Sequence, residues 1–149
     1  VGWLSRYLHT DATRRLLAEE GFFYHMDDYS DDFPYWDLVE TSAGRKPMVI
    51  MPYALDSNDM KFWLDPGLQP RDWARYATDT LDWLRKEAKH EGPRMMSLGL
   101  HLRIIGRPGR IGALEDVLNY VRERDDVWVA SREEIARAFA EAHPAPGEN

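Results

Sequence analysis

The sequence predicts an α/β fold with a largely parallel sheet, and three observations carry that prediction. Strand-like and helix-like stretches alternate along the chain. The run from Met95 to Leu100 is nearly continuously apolar, as in a strand covered on both faces. Four strand-like runs are few for a closed barrel, which takes about eight. The chain is therefore either a small open sheet or part of a larger barrel.

The elements follow in order. Thr10 or Asp11 can cap a helix that runs to Glu20, with Gly21 as its stop. Phe22 to Met26 is aromatic-rich and strand-like. Residues 27–46 are polar, hold Pro34 and Gly44, and show no helical period, so they read as irregular. Met48 to Met51 is the second strand, and residues 54–70 again read as irregular. Arg71 to Lys89 is the clearest helix: Trp73, Ala77, Leu81, Leu84 and Ala88 recur at spacings of three and four and make one apolar face. Glu91, Gly92 and Pro93 stop it. Met95 to Leu100 is the third strand. A Gly106-Arg107-Pro108-Gly109-Arg110 turn then leads into a helix bearing Ile111, Leu114, Val117, Leu118 and Val121. Val127 to Ala130 is the fourth strand. Ser131 and Glu134 form a capping box before a last helix that turns Ile135 and Phe139 inward. Residues 143–149 read as a frayed, flexible tail.

Composition excludes several functions. The 149 residues hold no cysteine, which removes a disulfide scaffold, a thiol nucleophile and a cysteine-bound zinc. A net charge of −7 argues against nucleic acid as a partner, because such binding neutralises phosphates. Nothing approaches the run of about 20 apolar residues that a membrane span needs. No basic, apolar and small-residue leader is visible, so the expected location is cytoplasmic. Six Trp and seven Tyr in so short a chain must serve core and cleft, since both combine apolar area with one polar handle.

In parallel α/β architectures ligands bind at the carboxyl ends of strands. Those ends offer Asp27 and Asp28, then Pro52, Tyr53, Asp56, Asn58 and Asp59, then His101 and Arg103, and last Ser131 and Arg132. His101 closes an apolar strand, where a half-buried imidazole can move protons near neutral pH; the alternative is a hydrogen-bonded strand-end histidine without a catalytic role. Asp27 to Asp37 is dense in acids and aromatics, which suits polar or flat ligands and equally a solvated loop with aromatic anchors. Arg107 and the free amides of its turn could take an anion, or the glycines could serve only a tight bend. Met95, Met96 and residues 48–51 read as core. No HxxxH or HExxH pair occurs, so no metal ligand is assigned, and His9, His25, His90 and His143 are scattered and carry no role.

Several blocks together resemble the C-terminal half of the polysaccharide deacetylase (NodB-homology) family, in its allantoinase-like and peptidoglycan-deacetylase-like branch. They are Gly2-Trp3-Leu4-Ser5 ahead of the Thr13 to Gly21 helix, Asp31-Asp32-x-Pro34-Tyr35-Trp36, and Pro52-Tyr53 followed by Asn58-Asp59. The most specific is Leu98-Gly99-Leu100-His101 with the Gly106 to Arg110 turn, followed by Val127 to Ala136. The resemblance implies that residues 1–142 are the C-terminal part of a distorted (β/α) barrel, with parallel strands and flanking helices. It implies hydrolysis of a non-peptide carbon–nitrogen bond, either an N-acetyl group on an amino sugar or a cyclic amide such as allantoin. By the same analogy His101 is the general acid, and Asp27, Asp28, Asp32, Trp36, Asn58, Asp59 and Arg107 line the substrate site. A divalent metal such as zinc would be held by early motifs that this chain does not carry. The expected partners are a small-molecule or glycan substrate and a second copy of the chain. Because the chain opens on Val1 and holds only the late motifs, it is expected to be incomplete and inactive alone. The competing reading is a non-catalytic module that binds a sugar or a purine derivative. A glycoside-acting enzyme using paired carboxylates ranks last, for want of a second carboxylate at a suitable strand end.

Overall fold

The computed structural model of the chain describes residues 1–5, 9–53, 56–64 and 68–147. Glu148 and Asn149 of the expected tail lie outside the described residues, as do Ala54, Leu55 and residues 65–67 of the second irregular stretch. The chain divides into two compact units, Val1–Tyr53 with Val129–Asn149, and Ala54–Trp128.

The first unit holds a four-stranded sheet in the order β1-β2-β4-β3. Strands β1 (Gly2–Trp3), β2 (Tyr24–His25) and β4 (Gly44–Ile50) run parallel, and β3 (Tyr35–Thr41) pairs antiparallel with β4. Helix α1 (Thr13–Glu19) connects the parallel pair β1 and β2. Its end follows from Gly21: at φ +78 the glycine turns the chain so that its own N–H reaches Ala18 O and the Phe22 N–H reaches Leu17 O. Phe22 then packs beside Leu17, Ala18, Val39, Met48 and Ile50, the core of this unit. Gly2 is required by close approach, because a Cβ there would sit 2.0 Å from the Tyr24 ring.

Strand β3 corrects the expectation for residues 27–46. Tyr35, Trp36, Val39 and Thr41 are good strand formers, and Ser42-Ala43-Gly44 turns them back onto β4 in the register Tyr35↔Ile50 to Thr41↔Gly44. Acids scattered among the strand formers hid the pattern. The parallel sheet of the expectation thus gains one antiparallel strand. Helix α5 (Arg132–Ala142) opens with the reciprocal Ser131 and Glu134 capping box that the sequence predicts. After it, the His143 carbonyl accepts from Trp36 Nε1 at 2.7 Å and Ala145 is buried, so the stretch expected to fray is held at these points.

The second unit is helical: α2 (Asp59–Leu64), α3 (Pro70–Glu91) and α4 (Ile111–Arg122). Trp73, Ala74 and Ala77 on α3 meet Ala113 and Val117 on α4 and Ile105. Residues 95–100 and 127–130, expected as strands, are not strands in the structure. Their apolar composition is satisfied otherwise in part: Met96 and Leu98 pack against the α3–α4 core. An apolar run encodes burial, whereas a ladder also needs a partner of matching register.

Candidate active site

In the second unit the apolar run delivers His101. Met96 and Leu98 face the helices, while Ser97 and Gly99 are buried and offer their carbonyls to the segment before α2. Ser57 Oγ donates to Ser97 O, and Asp59 N donates to Gly99 O at 2.9 Å. From the other side, the Trp73 indole N–H donates to Ser57 O at 2.9 Å. Asp59 is only 2% exposed, and His101 engages both of its oxygens: the backbone N–H reaches Oδ2 at 2.9 Å and ring Nδ1 reaches Oδ1 at 2.7 Å.

This geometry assigns the tautomer. A carboxylate only accepts, so Nδ1 carries a proton and Nε2 becomes the edge that can gain or lose one. The ring is half-buried, with 27% of its side-chain surface exposed, and Nε2 has no protein partner among the described residues. Asn58 caps α2, its Oδ1 accepting from Met60 N at 2.9 Å. Beyond His101 the chain coils: Ile104 N and Ile105 N both donate to His101 O, at 2.7 and 3.0 Å. Gly106 is demanded there, since a Cβ would lie 2.5 Å from Leu102 O, whereas Gly109 has open space around it. Arg107 is exposed, and its carbonyl accepts from Arg110 N and Ile111 N.

The first unit gathers a second polar network. Asp27 is buried, and its carboxylate accepts from Ser5 N at 2.9 and 2.7 Å and meets His25 Nε2 at 2.9 Å. Arg14 Nε approaches His25 Nδ1 at 3.3 Å. Because Arg14 can only donate, Nδ1 is the acceptor and Nε2 holds the proton given to Asp27. His25 is thus neutral and fully buried, and burial pushes its pKa down against the opposing pull of Asp27. Arg14 also binds Asp28 and, at 3.0 Å, Asp37 Oδ2. Burial acts to raise the pKa of Asp28, but the Ser30 hydroxyl and amide, Arg14 and Tyr35 outweigh it and hold it at about 2.

The predicted residues therefore fall into distinct settings. Asp59 and His101 come together, Asn58 caps α2 next to Asp59 in sequence, and Asp27 and Asp28 share the Arg14 network. Asp32 is exposed, its N–H bonded to Asp31 Oδ1 at 2.7 Å, and Trp36 lies 6.1 Å from the Phe139 ring. Sequence reasoning assigned nothing to His25 and did not single out Arg14 or Ser57. The one available signal was the place of His25 at the end of an aromatic run. Among the described residues no three His, Asp or Glu side chains are grouped to hold a metal ion. His25 and Asp27 direct both nitrogens and both oxygens at protein partners.

Known proteins share this sequence and backbone. A Schizosaccharomyces pombe protein named as a polysaccharide deacetylase is 40% identical over 127 residues, covering 81% of this chain and 40% of that protein. Over most of its own length this chain is similar to that polysaccharide deacetylase. A Pseudomonas aeruginosa PAO1 structure named as a probable polysaccharide deacetylase superposes with a TM-score of 0.84 at 44% identity, covering 97% of this chain and 47% of that one. Puue allantoinase superposes at 0.83 with 41% identity, covering 96% and 47%. The similarity thus extends to an allantoinase, as the NodB-type resemblance of the motifs implies, and the α/β class agrees with both structures. The chain spans 40% of the curated relative and just under half of each solved structure. No protein-family model matches it.

Proposed function

We propose that the protein containing this chain hydrolyses a non-peptide carbon–nitrogen bond, with His101 as the general acid. The single observation that carries the reading is the double grip of buried Asp59 on His101. It fixes the ring and holds the proton on Nδ1, leaving Nε2 as the edge whose proton passes to the departing nitrogen as the C–N bond breaks. Without that proton the leaving group would depart as an amide anion, which is far too basic. Asp59 acts as a positioning residue, its carboxylate occupied by His101. Asn58 and Arg107 are assigned to substrate contact within this unit, and the resemblance also gives Asp27, Asp28, Asp32 and Trp36 that role. Homology to deacetylases and to an allantoinase supports two substrate classes, an N-acetylated glycan and a cyclic ureide or amide.

The test is turnover by the full-length protein on N-acetylchitooligosaccharide, read as acetate release, and on allantoin, read as ring opening. His101→Ala should lower kcat by about 10²-fold or more on the true substrate, with a smaller change in KM. Undiminished turnover in that variant would remove His101 from the mechanism. Saturable binding of either compound by the wild type without turnover would instead favour a non-catalytic binding module.

A further inference from the structure

We infer that Trp73 is a positioning residue for His101, acting through a buried relay that ends on Asp59. This inference rests on the reading of His101 as a proton donor. Its structural half, however, can be tested without any substrate.

Trp73 is the largest of the fully buried side chains among the described residues, at 1% exposure, and its packing on Ala113 and Val117 would by itself account for its place in the core. Packing does not account for the indole N–H, which points at one carbonyl, Ser57 O, at 2.9 Å. Ser57 is 1% exposed, and its hydroxyl reaches across to Ser97 O. Two residues on, Asp59 N reaches Gly99 O at 2.9 Å. The short segment Ser57-Asn58-Asp59 is thus pinned by α3 on one side and by the apolar run on the other. That run leads, two residues after Gly99, to His101 itself. The carboxylate and the imidazole it holds are therefore carried on two segments tied to each other at Ser57–Ser97 and Asp59–Gly99, with Trp73 supplying the tie to the helix. Loss of the indole bond frees the Ser57 carbonyl. It leaves a buried acceptor unpaired and lets the turn that carries Asp59 rotate. A carboxylate displaced by a fraction of an ångström no longer accepts both the ring and the backbone N–H of His101.

Two changes at position 73 in the full-length protein separate the N–H from the bulk. Trp73→Phe removes both the N–H and part of the volume. A benzothienylalanine placed at 73 keeps the ring size and removes only the N–H. The first readout is the ¹⁵N spectrum of the His101 ring, at a pH where the imidazole is neutral. In the wild type it should show one tautomer, with Nδ1 protonated and Nε2 bare. With benzothienylalanine the two signals should move toward each other as the tautomers mix. On the substrate that the wild type turns over, kcat should fall about tenfold with KM little changed, the scale expected of a slightly misplaced catalytic group. A benzothienylalanine protein with the wild-type ring spectrum and wild-type kcat would overturn the inference, leaving Trp73 as packing alone. If Trp73→Phe does not fold, the ring-matched variant still decides. If His101→Ala proves harmless, the proton-donor reading falls, while the ring spectrum still tests the relay.

Discussion

Asp28 is a carboxylate on which several donors converge, and its acidity has a consequence for stability. Burial would raise its pKa, but the Ser30 hydroxyl and amide, Arg14 and Tyr35 hold it at about 2, below the ordinary 3.8. A group whose pKa is depressed on folding stabilises the fold above its unfolded pKa, and that contribution disappears as pH falls through the folded value. The lower window therefore runs from about pH 4 down to about pH 2. Solvent screening reduces the full linkage value, so about 1–2 kcal/mol is expected from Asp28. His25 defines an upper window by the same sign: burial lowers its pKa, so its stabilisation is complete above about pH 6.5 and declines as the pH drops below that. Urea midpoints of the full-length protein should fall between pH 5 and pH 2.5, and Asp28→Asn should flatten that fall while the decline below pH 6.5 persists. Equal slopes for wild type and Asp28→Asn would show that the Arg14 network does not bear on stability. At this scale the sequence was partly legible. His101 could be found because it closes an apolar run, and Asp27 and Asp28 because they follow one. Arg14 and His25 could not, because their meaning lies in a contact across 11 residues. Ser57 and Trp73 could not either, since a single buried carbonyl decides their pairing.

Helices were the elements most readable from sequence, for physical reasons. The apolar face of α3 is written in Trp73 and Ala77, both buried, and its ends are marked by Pro70 and by Gly92 at φ +87. The Ser131 and Glu134 box needs no tertiary context at all. Strands were less readable, because a strand is completed by its partner. β3 emerged from a stretch read as irregular, and two runs with strand composition did not become strands. The coil after His101 joins both lessons, since its two glycines look alike in sequence but only Gly106 faces a backbone carbonyl at 2.5 Å. Gly106→Ala should therefore lower stability by about 1–3 kcal/mol, the range for forced overpacking. Gly109→Ala should stay within about 0.5 kcal/mol, as for an unconstrained surface site. Urea unfolding of the two variants checks this, and equal effects would mean that the Leu102 carbonyl yields without strain.

At the scale of the whole chain, alternation and the late motifs were enough for the α/β class and for the kinship with deacetylases and allantoinase. The division into two units was not readable, because the first is made of segments far apart in sequence, 1–53 and 129–149. Each unit buries its own set of side chains: Leu17, Ala18, Val39, Met48 and Ile50 in one, Trp73, Ala74, Ala77, Ile105, Ala113 and Val117 in the other. A cavity opened in one set removes contacts from that set. Val117 is 2% exposed and central to the second set, so Val117→Ala should destabilise by about 1–3 kcal/mol. Local opening is governed by the contacts an element loses. Amide exchange should accordingly rise in α3 and α4 well before it rises in β2 and β4, whose strands are held by their own ladder and core. Hydrogen-exchange mass spectrometry of the full-length variant reads both sets of peptides at once. A uniform rise across them would show that the two cores open as one cooperative unit, and that the grip of Asp59 on His101 draws its rigidity from the entire fold rather than from the α3–α4 core beneath it.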